Sequence, residues 1–110
     1  MTMSDPFSAR VLAQLQLALL ADCGCERTLA ALDHGARRAG LTGAEIDAAL
    51  AGKSFEARTA AALAFACALK AGDHVQIDLA RVRAARFGVL ATDLEKIASE
   101  VAAILTNQVE

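Results

Sequence analysis

Glycines divide this chain into segments of helix length. Gly40, Gly52, Gly72 and Gly88 each follow a stretch rich in alanine or leucine. Alanine and leucine lead the helix scale, and glycine is the commonest residue just beyond a helix C-terminus. Aromatic residues, which favour strands, make up only 4% of the chain. The sequence therefore predicts an all-α fold, a bundle of about six helices.

The capping residues set the expected bounds of these helices. Ser54 and Asp78 are expected N-caps, and Thr42 to Glu45 and Thr92 to Glu95 have the form of capping boxes. At 110 residues the chain has too little material for two cores. We expect a flexible arm over 1–7 and a single helical domain over 8–110. The predicted helices cover 8–22, 25–39, 42–51, 55–71, 79–87 and 92–107, with a connector over 73–77.

The first predicted helix is apolar on most of its sides, and only Arg10, Gln14 and Gln16 interrupt it. A helix of this kind belongs at the centre of a bundle or at a subunit contact. Hydrophobic residues make up 55% of the chain, which is difficult to bury in one small core. We therefore expect a homo-oligomer.

The charge and length patterns exclude several classes of partner. A net charge of −2 argues against a nucleic-acid surface and against a polybasic membrane patch. The longest apolar run, 60–69, is far shorter than the ~20 residues of a membrane-spanning helix. The N-terminus lacks a signal-peptide core, and no glycine-rich phosphate loop is present. We expect a soluble cytoplasmic protein without a cofactor, a membrane anchor or bound nucleic acid.

Cys25 is the strongest candidate for chemistry. It lies at the predicted start of a helix, where unpaired N–H groups and the helix dipole favour a thiolate, and Arg27 is close in sequence. The alternative is that Cys25 is a small buried apolar residue. Cys23 is its candidate partner, although a Cys-x-Cys spacing suits a disulfide poorly. Cys23, Cys25 and His34 lack a fourth ligand, so we predict no metal site.

The remaining cysteine and histidines have simpler interpretations. Cys67 lies inside an alanine-rich segment and is expected in the core. His34 is expected on the surface beside Asp33, and His74 in the connector.

The order of these features resembles the alkylhydroperoxidase-D-like, or carboxymuconolactone decarboxylase, family. The resemblance rests on an apolar helix, a cysteine turn, a helix ending ARRAGL and a capped acidic helix. The second half agrees through EARTAAALAFACALKAG and LARVRAARFGVLATDLEKIASEVAAILTNQ. The resemblance covers about residues 10–108. It implies an all-α fold in trimers or hexamers, in which active members reduce hydroperoxides with a Cys-x-x-Cys-x-x-x-His motif and a Glu and His relay.

The motif matches this chain only in part. With Gly40 as the anchor, Cys25 takes the position of the first motif cysteine, Thr28 that of the second and Leu32 that of the histidine. The relay glutamate falls near Ala13, with Gln14 and Gln16 as neighbours. The resemblance therefore implies a catalytic Cys25, with Cys23 or an external thiol reductant in place of the second cysteine.

Two functions follow from this partial match. The first is a thiol oxidoreductase with peroxidase-type antioxidant activity that depends on Cys25. The alternative is a non-catalytic member, either an oligomeric helical scaffold or a binder of a small ligand. A third, decarboxylation of a lactone acid, lacks any base or carboxylate-binding set that the sequence identifies.

Overall fold

The computed structural model describes residues 8–22 and 25–106, and all regular secondary structure in these residues is helical. This confirms the predicted all-α bundle of six helices. None of these helices is long and apolar enough to cross a membrane. The helices are α1 Ala9–Leu20, α2 Glu26–Arg38, α3 Gly43–Leu50, α4 Ala57–Ala71, α5 His74–Arg86 and α6 Ala91–Thr106.

Helix α1 lies at the centre of the bundle, as its apolar sequence predicts. It packs against α2, α3, α4 and α6. Leu15 and Leu19 are fully buried in a large cluster with α4, α5 and α6, whereas Ala13 and Leu17 are buried in a smaller cluster with α2 and α3. Because α1 separates two apolar clusters, it needs apolar residues on two opposite sides.

The turn from α2 to α3 follows the predicted capping pattern. Gly40 has a φ of 97°, in the left-handed region that favours glycine. The N–H of Leu41 donates to the carbonyl of Ala36 at 3.0 Å, and the N–H of Gly40 donates to that of Arg37 at 3.0 Å. These two bonds form a Schellman motif, which satisfies carbonyl groups left unpaired at the end of α2.

The start of α3 has the predicted capping box. The Thr42 hydroxyl accepts from the N–H of Glu45 at 3.1 Å, and the Glu45 carboxylate accepts from the N–H of Thr42 at 2.8 Å. Leu41 and Ile46 are both buried in the smaller cluster, where a hydrophobic staple would place them. Arg10 of α1 also donates to Glu45 at 2.6 Å. The α2–α3 turn is thus tied to the central helix.

Helices α4 and α5 begin at residues other than those predicted. Helix α4 begins at Ala57 with Glu56 as its N-cap, so the predicted start at Phe55 and the Ser54 cap are wrong. Helix α5 begins at His74, because the Asp73 carboxylate accepts from the N–H groups of Val75 and Gln76 at 3.0 and 3.3 Å. Asp73 thereby satisfies two donors of the first turn.

The consequence for α5 is a helix one turn longer than expected. The predicted connector over 73–77 and the Asp78 cap are both wrong, and His74 is a helical residue. Helix α6 likewise begins at Ala91, since the Asp93 carboxylate accepts from the N–H of Leu90 at 3.2 Å. The predicted Thr92 to Glu95 box is wrong for this reason. Asn107, the expected helix end, lies outside the described residues.

Candidate functional site

Cys25 is the N-cap residue of α2, as the sequence predicts. Its backbone is extended (φ −99°, ψ 109°), and its carbonyl accepts from the N–H of Leu29 at 3.0 Å, the first hydrogen bond of the helix. Glu26 lies in the first turn, where the negative charge of an acidic side chain interacts favourably with the helix dipole. The Cys25 side chain is exposed, so the alternative of a buried apolar cysteine is wrong.

The first turn of α2 makes the Cys25 thiol more acidic than an ordinary cysteine. The Thr28 hydroxyl, which donates towards the sulfur, is the largest cause of the lowered pKa of Cys25, followed by the backbone N–H of Thr28. Desolvation by burial opposes this lowering of the pKa, and the N–H of Arg27, the weakest of the four causes, lowers the pKa further. Thr28 is the third residue of α2, and an N-cap side chain ordinarily accepts a hydrogen bond from the N–H at this position. The position of Cys25 at the start of the helix therefore favours the thiolate.

A surface cavity of about 340 Å³ lies beside this turn, between α1, α2 and α6. Thr28 lines it, so the residue that lowers the pKa of Cys25 also lines the cavity. We call this space the α2 cavity. Its lining residues are Gln16 and Leu20 from α1, Arg27, Thr28, Ala31 and Leu32 from α2, and Ile104 from α6.

The α2 cavity combines an apolar wall with a few polar groups. Leu20, Leu32 and Ile104 supply apolar surface, while Gln16 supplies an amide and Arg27 a cation. Sites for small ligands in proteins have this composition, with a mainly apolar lining and few orienting polar groups. The arrangement suits a small molecule with an apolar body and a polar or anionic end.

Some of the positions that the family resemblance singles out line the α2 cavity, and others lie in the core. Thr28 and Leu32, in the positions of the second cysteine and the histidine, line the cavity, and so does Gln16. Ala13 is instead buried in the smaller core cluster. Gln14 is buried and donates to the carbonyl of Arg10 at 3.2 Å. Cys23 lies outside the described residues, so its partnership with Cys25 stays a prediction.

The other titratable candidates lie apart from the cavity. His34 is exposed on α2, and His74 is exposed at the start of α5. Cys67 is half-buried in α4, where burial raises the pKa of its thiol. Within the described residues, no group of three or more histidine, cysteine and acidic side chains could hold a metal ion.

Lys70 supports the chain segment that leads into Cys25. Its ammonium donates to the carbonyl of Leu19 at 2.6 Å and to the carboxylate of Asp22 at 2.8 Å. The hydrogen bond from Lys70, together with its charge, lowers the pKa of Asp22. A cation at a helix C-terminus donates hydrogen bonds to unpaired carbonyl groups and interacts favourably with the negative end of the helix dipole. Lys70 thus links α4 to the end of α1 and to Asp22, which lies three residues before Cys25.

Sequence reasoning identified Cys25 but not the contribution of Thr28 and Gln16 to the site. The signal for Thr28 was its position three residues after a cysteine N-cap, where side chain and backbone can both reach the sulfur. Gln16 had no such signal, because its place in the cavity depends on how α1, α2 and α6 pack together.

Comparison of the chain with protein-family models, with curated proteins and with solved structures found no match. The functional assignment therefore depends on the chemistry of Cys25 and the α2 cavity.

Proposed function

We propose that this protein is a thiol oxidoreductase of the peroxidase type, in which Cys25 reduces a small organic hydroperoxide. The observation that carries the proposal is the double role of Thr28, which lowers the pKa of Cys25 and also lines the α2 cavity. A thiolate is the nucleophilic form of cysteine, and Thr28, three residues after Cys25, lines the cavity in which we propose that the substrate binds.

The proposed reaction is a two-electron transfer. The Cys25 thiolate attacks the terminal peroxide oxygen, an S–O bond forms and the O–O bond breaks. The sulfur is oxidised to a sulfenic acid, and the alkoxide leaves and takes a proton from water to become an alcohol. A thiol reductant then condenses with the sulfenic acid, which releases water and forms a mixed disulfide. A second thiol attacks that disulfide and returns Cys25 to its reduced form.

The cavity residues have separate proposed roles. Thr28 holds the thiolate through its hydroxyl, and the Arg27 guanidinium stabilises the departing alkoxide by its charge. Leu20, Leu32 and Ile104 contact the apolar substituent of the hydroperoxide.

The reductant and the setting belong to the same proposal. Thr28 replaces the second motif cysteine, so either Cys23 or an external thiol must complete the cycle. Such a cycle suits a reducing compartment, which supports a cytoplasmic location. We also propose that the chain is a homo-oligomeric member of the alkylhydroperoxidase-D-like family, on the strength of its helical order and the position of Cys25.

Intact mass tests the proposed activity. The reduced protein would be treated with a small excess of cumene hydroperoxide, beside Cys25→Ser and Cys67→Ser variants. We expect rapid oxidation in the wild type and in Cys67→Ser but not in Cys25→Ser. Oxidation no faster than that of free cysteine would refute the proposal.

A second function, storage or binding of a small apolar ligand, is favoured by one observation. Among the described residues, no carboxylate or imidazole lines the α2 cavity, so none of them there can carry protons in a catalytic cycle. This function predicts that an apolar fluorescent probe, 8-anilinonaphthalene-1-sulfonate, binds the wild type and Cys25→Ser equally. Ala31→Phe, which fills the cavity, should abolish that binding; binding that survives Ala31→Phe would rule this function out.

A further inference from the structure

Helix α5 has an apolar face that none of the other residues described by the structure covers. Its inner face packs on α4 through the small residues Ala80 and Ala84, which are buried. On the opposite face Val75, Leu79 and Val82 are 64%, 58% and 56% exposed. Their spacing of four and three residues places them in one line along the helix. We call these three residues the α5 stripe.

The stripe stands out from the rest of the described surface. Of seven exposed large hydrophobic residues, five lie between Val75 and Leu90: the three stripe residues, Phe87 at the C-cap of α5 and Leu90 just before α6. The three stripe residues together expose roughly 300 Å², within the size range of apolar patches that are often functional on a small protein.

The charges of α5 differ between its two halves. Asp73, the N-cap, and Asp78 lie in the N-terminal half, whereas Arg83 and Arg86 lie in the C-terminal half. Arg81 instead lies over the ring of Phe65 in α4, 5.2 Å from its centroid. An antiparallel copy of the same helix would place each acidic half against a basic half. A parallel copy would bring like charges together, which costs stability. The charge pattern of α5 therefore complements itself about a two-fold axis.

The spacing of the stripe also suits such a pairing. Residues four, three and four apart, from Val75 to Arg86, follow the alternation that lets two helices interlock along a seam. An axis between Leu79 and Val82 places Leu79 of one copy against Val82 of the other. Val75 then meets the aliphatic part of the partner's Arg86. The exposed charged residues Asp78, Arg83 and Arg86 extend the face that a second copy would contact.

We propose that the α5 stripe is a homo-oligomer contact, in which two copies of this chain pair their α5 helices antiparallel about a two-fold axis. Such a contact is isologous, since the same surface is used by both copies.

Sedimentation velocity over about 5 to 200 µM tests this contact. We expect an even-numbered assembly in the wild type and half that mass for Leu79→Glu at the same concentrations. Leu50→Glu, at an exposed apolar position in α3, is the matched control and should leave the mass unchanged. Circular dichroism of each variant would verify that the helical fold is kept.

Three results would overturn the proposal. The first is a wild type that stays monomeric at 200 µM, and the second is an assembly that Leu79→Glu leaves intact. The third is a trimer, because the contacts of a three-fold ring join two different surfaces of the chain.

Charge reversal tests the antiparallel charge pairing separately. Asp78→Arg alone and Arg83→Glu/Arg86→Glu alone should each weaken self-association at least about tenfold. An equimolar mixture of the two should restore it as a heterodimer, which is observed by native mass spectrometry. Strong self-association of both variants would contradict the pairing.

Discussion

Cys25 and Cys67 show how the position of a cysteine in a helical bundle decides its chemistry. Cys25 is exposed at the N-cap of α2, and the hydroxyl and N–H of Thr28 lower the pKa of its thiol. Cys67 is half-buried within α4, and desolvation raises the pKa of its thiol. The pKa of a cysteine thiol is thus lowered at this helix start and raised within a helix.

The two helices also differ in how firmly they are held. Helix α4 buries six residues and packs against α1, α5 and α6, whereas α2 buries only Ala36 and packs against α1 and α3. Leu29 and Leu32 of α2 are half-buried. The incomplete packing of α2 leaves room for the α2 cavity, and Cys25 lies at the N-terminus of this less extensively packed helix.

The largest expected difference is in stability. Leu63 of α4 is fully buried, so Leu63→Ala should lower the free energy of unfolding by about 3 kcal/mol. Leu32→Ala in α2 should cost only about 1 kcal/mol, because part of that side chain already faces water. Urea unfolding of both variants measures these costs. Equal costs would show that α2 is packed as tightly as α4.

The next expected difference is in thiol reactivity. At pH 7.5 iodoacetamide should modify Cys25 at least about tenfold faster than Cys67, since Cys25 is more exposed and more often a thiolate. Peptide mass spectrometry of samples quenched over time gives both rates in one experiment. A faster reaction at Cys67 would reverse the comparison.

A smaller effect concerns the turn that anchors α2. Thr42→Ala removes the hydroxyl that accepts from the N–H of Glu45, and it should cost about 1 kcal/mol. Hydrogen exchange should then quicken in α3 and at the end of α2, but not in α4. Thr92→Ala, whose side chain lies in the first turn of α6 but is no cap there, is the control and should have little effect.

The smallest effect is a loss of stability in acid. The N–H of Thr42 and, less strongly, Arg10 lower the pKa of Glu45 below its ordinary 4.5. A carboxylate whose folded pKa is lowered stabilises the fold above its ordinary pKa, and this contribution is lost as the pH falls through the folded value. Stability should therefore decline below about pH 4.5. Glu45→Gln should flatten that decline, measured as urea midpoints; an unchanged slope would argue against the Glu45 contacts.

Local patterns predicted the fold well wherever one signal was unambiguous. Gly40, Thr42 and Glu45 fixed the α2–α3 turn because each residue has one capping role there. The start of α5 was mispredicted because Asp73 and Asp78 can both cap a helix, and the sequence does not show which one does. The acidity of Cys25 could be expected from its helix-start position. The cavity could not, because it forms only when three helices pack together.

The most direct test of the central claim is the pKa of the Cys25 thiol, measured from the pH dependence of its alkylation rate in a Cys23→Ser background. We predict a pKa below the ordinary cysteine value of 9.0, and Thr28→Val should move it back towards that value while the helical fold is kept. An ordinary pKa in the parent protein, or a low pKa that Thr28→Val leaves unchanged, would contradict the account.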